Sequence, residues 1–168
     1  MYILETKTQH WAEAEIVEGT YQTMPLKKNN WQFAWRKAIK EENATVYLLR
    51  LVANPAVVQG AMQLKLTLQK GILWINLLEV APWNLGKQHK QYEHVAGCLI
   101  AFACKQAFRL ESSYKGYLLF QSKVDLIDFY KEKYGASVLY GKIMVLSPAT
   151  GMALIEQYLK TSKNDFKP

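Results

Sequence analysis

The chain has 168 residues, half of them hydrophobic and about an eighth aromatic, with five Trp and ten Tyr. That length fits one ordinary domain, here residues 1–160 followed by a disordered basic tail at 161–168, and so apolar a composition excludes an intrinsically disordered chain. The formal charge of +7 favours polyanionic partners, but Lys and Arg are scattered along the chain, which argues against a dedicated nucleic-acid face.

Taken in chain order, residues 1–24 have no clean period; Tyr2, Leu4 and Thr6 alternate like a short strand, and residues 12–17 read as a helical turn. Between residues 25 and 40, Leu26, Trp31, Ala34, Trp35, Ala38 and Ile39 recur at spacings near 3, 4 and 7, which predicts an amphipathic helix. Residues 44–52 are rich in β-branched and aromatic side chains, and Asn54-Pro55 then turns the chain, so a strand leads into a hairpin. From 57 to 69, Met62, Leu64, Leu66 and Leu68 alternate with polar residues, the period of a half-exposed strand. The nearly continuous apolar run 72–80 predicts a central strand covered on both faces.

After a loop of about ten residues, Val95, Leu99, Phe102, Ala103 and Ala107 share one side of a long helix over 92–108. A short strand at 116–121 and a helix at 124–134 follow, the helix stopped by Gly135, which adopts left-handed φ without penalty. Residues 137–140 and 143–146 read as two strands joined through Gly141. Ser147-Pro148, a cap residue and a first-turn proline, opens a terminal helix running to Leu159. The order predicts an α/β (α+β) fold: a mixed, mostly antiparallel twisted sheet of about six to seven strands, with helices on both faces.

No apolar stretch reaches the roughly 20 residues of a membrane-spanning helix, and residues 1–11 lack a secretory signal's continuous apolar core, so no membrane partner and a cytoplasmic address are expected. Cys98 and Cys104, six residues apart on one helix, are too far separated for a disulfide and read as core thiols or, alternatively, as a nucleophile. Three scattered His give no metal-binding spacing, and neither a phosphate-binding P-loop nor a Gly-x-Ser-x-Gly elbow is present.

Over residues 44–146 this order of elements resembles the GNAT superfamily of N-acetyltransferases, and two segments carry the likeness. Leu77-Leu78-Glu79-Val80-Ala81-Pro82 followed by Tyr92-Glu93-His94-Val95-Ala96-Gly97-Cys98 is similar to the family's strand, pyrophosphate loop and helix start. Gly97 stands at the last position of the loop signature, while Tyr92 replaces the usual Gln or Arg and Val95 the usual first Gly. Asp125-Leu126-Ile127-Asp128-Phe129-Tyr130-Lys131-Glu132-Lys133-Tyr134-Gly135 resembles the helix bearing the family's acidic tyrosine, with Tyr130 as the matching residue.

The resemblance implies acetyl-CoA as co-substrate and direct transfer of its acetyl group to a primary amine of a small molecule or protein. It implies cofactor contacts from Leu78, Val80, His94, Val95, Ala96, Gly97 and Cys98, with the Cβ of Val95 narrowing the loop, and Tyr130 as the acid for the departing thiolate. Glu79 interrupts an apolar strand, and a part-buried carboxylate there suits base work; it reads equally as a strand-edge Glu paired with a Lys. Lys87, His89 and Lys90 are candidates for a phosphate by charge alone. Two alternatives stay open: an inactive acyl-CoA-binding or interaction module, and a nucleic-acid binder using Trp31, Trp35, Trp74 and Trp83 as stacking platforms. An exposed edge at the C-terminal strands would allow a homodimer.

Overall fold

A computed structural model describes residues 1–67, 69–86, 90–160 and 162. Leu68, Lys87, His89 and the expected tail, apart from Ser162, lie outside the described residues. Among the described residues nine strands form a single sheet: β1 (Tyr2–Glu5), β2 (His10–Glu18), β3 (Ala44–Leu51), β4 (Val58–Thr67), β5 (Ile72–Val80), β6 (Tyr92–Glu93), β7 (Leu118–Gln121), β8 (Ser137–Tyr140) and β9 (Ile143–Leu146). Their order across the sheet is β6-β1-β2-β3-β4-β5-β7-β9-β8, and all pairs are antiparallel except β5 with β7. Helices α1 (Trp35–Ala38), α2 (Val95–Ala107), α3 (Ile127–Tyr134) and α4 (Pro148–Tyr158) complete the fold.

The mixed sheet agrees with the expectation, but nine strands replace six to seven, and the extra strands lie near the N-terminus and at Tyr92. Residues 12–17 belong to β2 and are not a helical turn. Ala and Glu favour helix intrinsically, yet Ala12, Ala14 and Ile16 alternate with outward Glu, and pairing with β1 and β3 lets that period of two prevail. Tyr92 and Glu93 pair with β1, so the long helix starts at Val95 instead of 92.

The helix expected across 25–40 is reduced to one 3-10 turn at Lys27–Asn29 and the four residues of α1. The backbone N–H groups of Gln32 and Phe33, which a continuous helix would use, are given instead to the carboxylate of Glu79. The remaining elements fall within one to three residues of their expected bounds. Gly135 closes α3 at φ 66°, with its N–H donating to Lys131 O and that of Ala136 to Tyr130 O. Ser147 Oγ accepts from Thr150 N at 3.2 Å at the start of α4.

The two faces of the sheet are covered differently. Leu49, Met62, Leu64, Leu73, Ile75, Leu118, Met144 and Leu146 pack against α2 and its neighbours. On the opposite face Trp31, Trp35 and Ala38 cover Val46, Leu48 and Ala61. Trp31 and Trp35 are therefore core, and Trp83 gives its Nε1–H to Gln59 Oε1 at 2.9 Å. At one end of the sheet β8 is exposed along its whole length, Tyr140 to 80%. Among the described residues no helix is long and apolar enough to cross a membrane.

Candidate functional site

The site originates in one irregularity of β5. Gln63 of β4 pairs with Leu77 while the next residue, Leu64, pairs with Ile75, so Asn76 is an extra residue, a β-bulge. The bulge changes which side chains face which way. Before it, Leu73 and Ile75 join the α2 face; beyond it, Leu78 and Val80 do so, and Leu77 turns to the opposite face. Glu79 goes with Leu77, toward the segment carrying Trp31 and Trp35.

The same bulge ends the parallel pairing. β5 and β7 are paired at Leu73, Trp74 and Ile75 with Leu118, Leu119 and Phe120, and no further. β5 stays paired to β4 through Val80, while Gln121 of β7 follows β9. The strands part, and a cleft of about 450 Å³ opens between them. On the side facing it, residues 76–80 have no strand neighbour among the described residues, leaving a row of backbone donors and acceptors able to bind an extended amide-bearing chain.

One end of the cleft is the start of α2. His94 precedes it at φ 70°, and no side chain caps the helix. The first intrahelical bond runs from Cys98 N to His94 O, so the N–H groups of Val95, Ala96 and Gly97 have no partner within the helix and favour an anion. The His94 ring lies 5.2 Å from that of Trp11 and 5.6 Å from that of Tyr158. Burial lowers its pKa from the ordinary histidine value, and Lys133 lowers it further against the opposing influence of Glu93.

The departure at Val95 and the match at Gly97 both have structural explanations. The Val95 side chain, expected to narrow the loop, is instead buried against the sheet, where a Cβ on Gly60 of β4 would lie 2.7 Å from Val95 Cγ1 and 2.9 Å from Leu99 Cδ1. A missing side chain on β4 makes room for it. Gly97 serves close packing: a Cβ there would meet the Tyr158 ring at 2.3 Å. Gly60→Ala is therefore expected to destabilise the fold by about 1–3 kcal/mol through overpacking, with much of the loss recovered in the Gly60→Ala/Val95→Ala double variant. Denaturant unfolding of the four members of that cycle measures it; additive losses would contradict the contact.

On the β7 side the cleft is walled by Phe120, Ser122, Lys123 and α3. Tyr130 packs its ring 4.8 Å from Phe120 and 5.5 Å from Phe129. Burial raises its pKa above the usual tyrosine value, so its phenol is protonated across the neutral range. Burial also raises Tyr134, and Lys133 lies over the Phe129 ring at 5.4 Å.

The remaining wall is the segment before α1, held by Glu79. Its carboxylate is buried and accepts Gln32 N at 2.5 Å, Phe33 N at 3.2 Å and the indole Trp35 Nε1 at 2.9 Å. No Lys partners it. A second buried amide cluster fixes the loop between β5 and β6. Gln59 accepts from Trp83 Nε1 and Asn84 Nδ2, and Asn84 Oδ1 accepts Tyr92 N at 3.0 Å. Gln59, Asn84, Gln32 and Phe33 were not singled out by the sequence, because their roles come from partners distant in the chain.

Leu78, Glu79, Val80, His94, Val95, Ala96, Gly97 and Tyr130 all line this one cleft, as does Lys90. Cys98 does not: its Sγ donates to Tyr158 O and Tyr2 O in the core. Burial pushes the thiols of Cys98 and Cys104 up to about 12, which makes both poor nucleophiles. Among the described residues no group of His, Cys, Asp and Glu is placed to hold a metal ion.

No protein-family model matches the sequence, and no curated protein matches it. Solved structures do resemble the fold. A crystal structure of AtaTR bound with AcCoA superposes with a TM-score of 0.63 at 11% identity, over 84% of this chain and 98% of that one. A structure of the AtaT-AtaR complex bound to DNA gives 0.59 at 13% identity, over 83% and 98%. The spermidine/spermine N-acetyltransferase SpeG from Vibrio cholerae gives 0.57 at 12% identity, over 84% and 98%. With its sheet parted at the bulge and its long helix opening on the gap, the chain has the fold of the GNAT N-acetyltransferases.

Proposed function

We propose that the protein is an N-acetyltransferase that moves the acetyl group of acetyl-CoA to a primary amine. The single observation that carries this reading is the gap between β5 and β7 beyond Asn76, continuous with the open start of α2. A strand edge suits an amide-bearing pantetheine arm, and free helix N–H groups suit a pyrophosphate; here they belong to one cleft. The free edge of β5 at residues 76–80 would hold the arm. Val95, Ala96 and Gly97, with His94 and Lys133 beside them, would hold the phosphates.

In the reaction the neutral amine attacks the thioester carbonyl carbon, a C–N bond forms, and the C–S bond breaks with its electron pair going to sulfur. Tyr130, which lines the cleft with its phenol protonated, would give that proton to the sulfur, leaving free coenzyme A, and would recover a proton from the attacking nitrogen through solvent. Closing the amine and thioester in one cleft converts a bimolecular encounter into an oriented one. Glu79 is the carboxylate nearest in role to a base. Its three N–H partners favour a role in holding the wall on which the amine would rest.

Thermal unfolding with acetyl-CoA tests the reading. At about 100 times its dissociation constant a ligand adds roughly 2.7 kcal/mol, which for a chain of this length raises the midpoint by roughly 5–11 °C. Coenzyme A should act similarly and ADP much less, because only the first two engage the edge of β5. No shift with acetyl-CoA would refute the proposal.

A further inference from the structure

The cleft's charges and its apolar wall bear on which amine it accepts, an inference that rests on the acetyl-transfer reading above. Among the described residues two carboxylates line it, Glu79 and Glu93. The Glu79 carboxylate is turned under the wall and occupied by three N–H donors. Glu93 lies on β6 and adjoins His94 at the start of α2, the end that suits phosphates. The wall opposite α2 therefore presents no free carboxylate among the described residues.

That wall carries apolar side chains beside Gln32. Phe33 and Leu77 each pack against the cluster that holds Trp35, and Leu85, with nearly half its surface exposed, lines the same cleft. Among the described residues three cations line the cleft, Lys90, Lys123 and Lys133. Lys133 acts on His94 at the α2 end, whereas Lys123 follows the last paired residue of β7 by two positions, where the strands have parted. Among the described residues neither Lys90 nor Lys123 forms a salt bridge.

A polyamine keeps several positive charges after one nitrogen is deprotonated for attack, and each needs a carboxylate or water. Away from Glu93 this cleft offers lysines, neutral amides and hydrocarbon instead, which penalises such a substrate by like-charge repulsion and desolvation. We propose that the acceptor is a small amine whose body is apolar and which carries an anionic group, the chemistry of a hydrophobic α-amino acid, with the anion held by Lys123 and the apolar body against Phe33, Leu77 and Leu85. The reaction consumes one acetyl thioester, forms one amide N–C bond and releases one free thiol, so acceptors are compared directly by thiol release.

The experiment uses the full chain and first establishes acetyl-CoA binding by calorimetry. Then kcat/KM is measured for phenylalanine, phenylalaninamide and spermidine. Phenylalanine is expected to exceed its amide by roughly tenfold or more, the worth of one charge-assisted contact, and to exceed spermidine by at least as much. Lys123→Glu should abolish the preference for the acid over the amide while its unfolding midpoint stays within a few degrees of the parent. Equal use of acid and amide, preference for spermidine, or acetyl-CoA binding without turnover of phenylalanine would each overturn the inference. Absence of acetyl-CoA binding would overturn the acetyl-transfer reading itself.

Discussion

Tyr130→Phe is expected to lower kcat by roughly 10²–10⁴-fold, the range that general acid catalysis contributes, while leaving acetyl-CoA affinity and the unfolding midpoint almost unchanged. The ring carries the packing: its contacts with Phe120 and Phe129 survive removal of the hydroxyl. The hydroxyl carries the proton, held on oxygen at neutral pH because burial disfavours the phenolate. Loss confined to kcat is what an acid acting only in the transition state predicts. Steady-state kinetics with calorimetric binding separates the cases. Unchanged kcat would reduce Tyr130 to a residue packing α3 on β7, and a fall in binding alone would make it a ligand contact.

Glu79→Ala is expected to cost at least about 3 kcal/mol of stability, a fall of roughly 6–12 °C in the midpoint. Two backbone N–H groups and a buried indole N–H would lose one shared acceptor, and hydrogen bonds to charged groups contribute about 1.5–3 kcal/mol each. Trp35 has no exposed surface, so its Nε1–H cannot turn to water. Glu79→Gln keeps an acceptor oxygen but adds donors where donors already converge, and should fall between the parent and the alanine variant. Both variants should raise KM for the amine, because the wall bearing Gln32 and Phe33 is loosened. A Glu79→Gln protein with parental stability and a collapsed kcat would restore the carboxylate as the catalytic base.

Several elements were legible in the sequence because their signals are local. The alternation from Met62 to Leu66 marked β4, and the spacing from Val95 to Ala107 marked α2. Gly135 and Ser147-Pro148 marked the end of one helix and the beginning of another, since their cause is the conformational freedom or capping chemistry of the residues themselves. β2 was misread because Ala and Glu carry helical propensity, and only its partner strands made alternation decisive. The helix expected before β3 failed for the opposite reason: a strong period of 3.6 was overridden by a carboxylate 46 and 47 residues along the chain.

The candidate site divides in the same way. Sequence order alone placed a buried strand, a loop and a long helix in succession, and pointed to Glu79, His94, Gly97 and Tyr130 through residue type and resemblance. It carried no sign of the bulge at Asn76, because a bulge is a mismatch between two strands and belongs to neither sequence separately. That one extra residue turns Glu79 away from α2 and ends the pairing with β7, so it decides both where the carboxylate points and that a cleft exists. It likewise took the tertiary structure to show that Val95 is accommodated by Gly60, and that Gly97 exists for Tyr158. The sequence by itself determined the alternation of strands and helices and the chemistry available on them, since those follow from each residue's own propensities. Register, packing and the site's geometry were decided by contacts between residues far apart in the chain, and only folding brings those together.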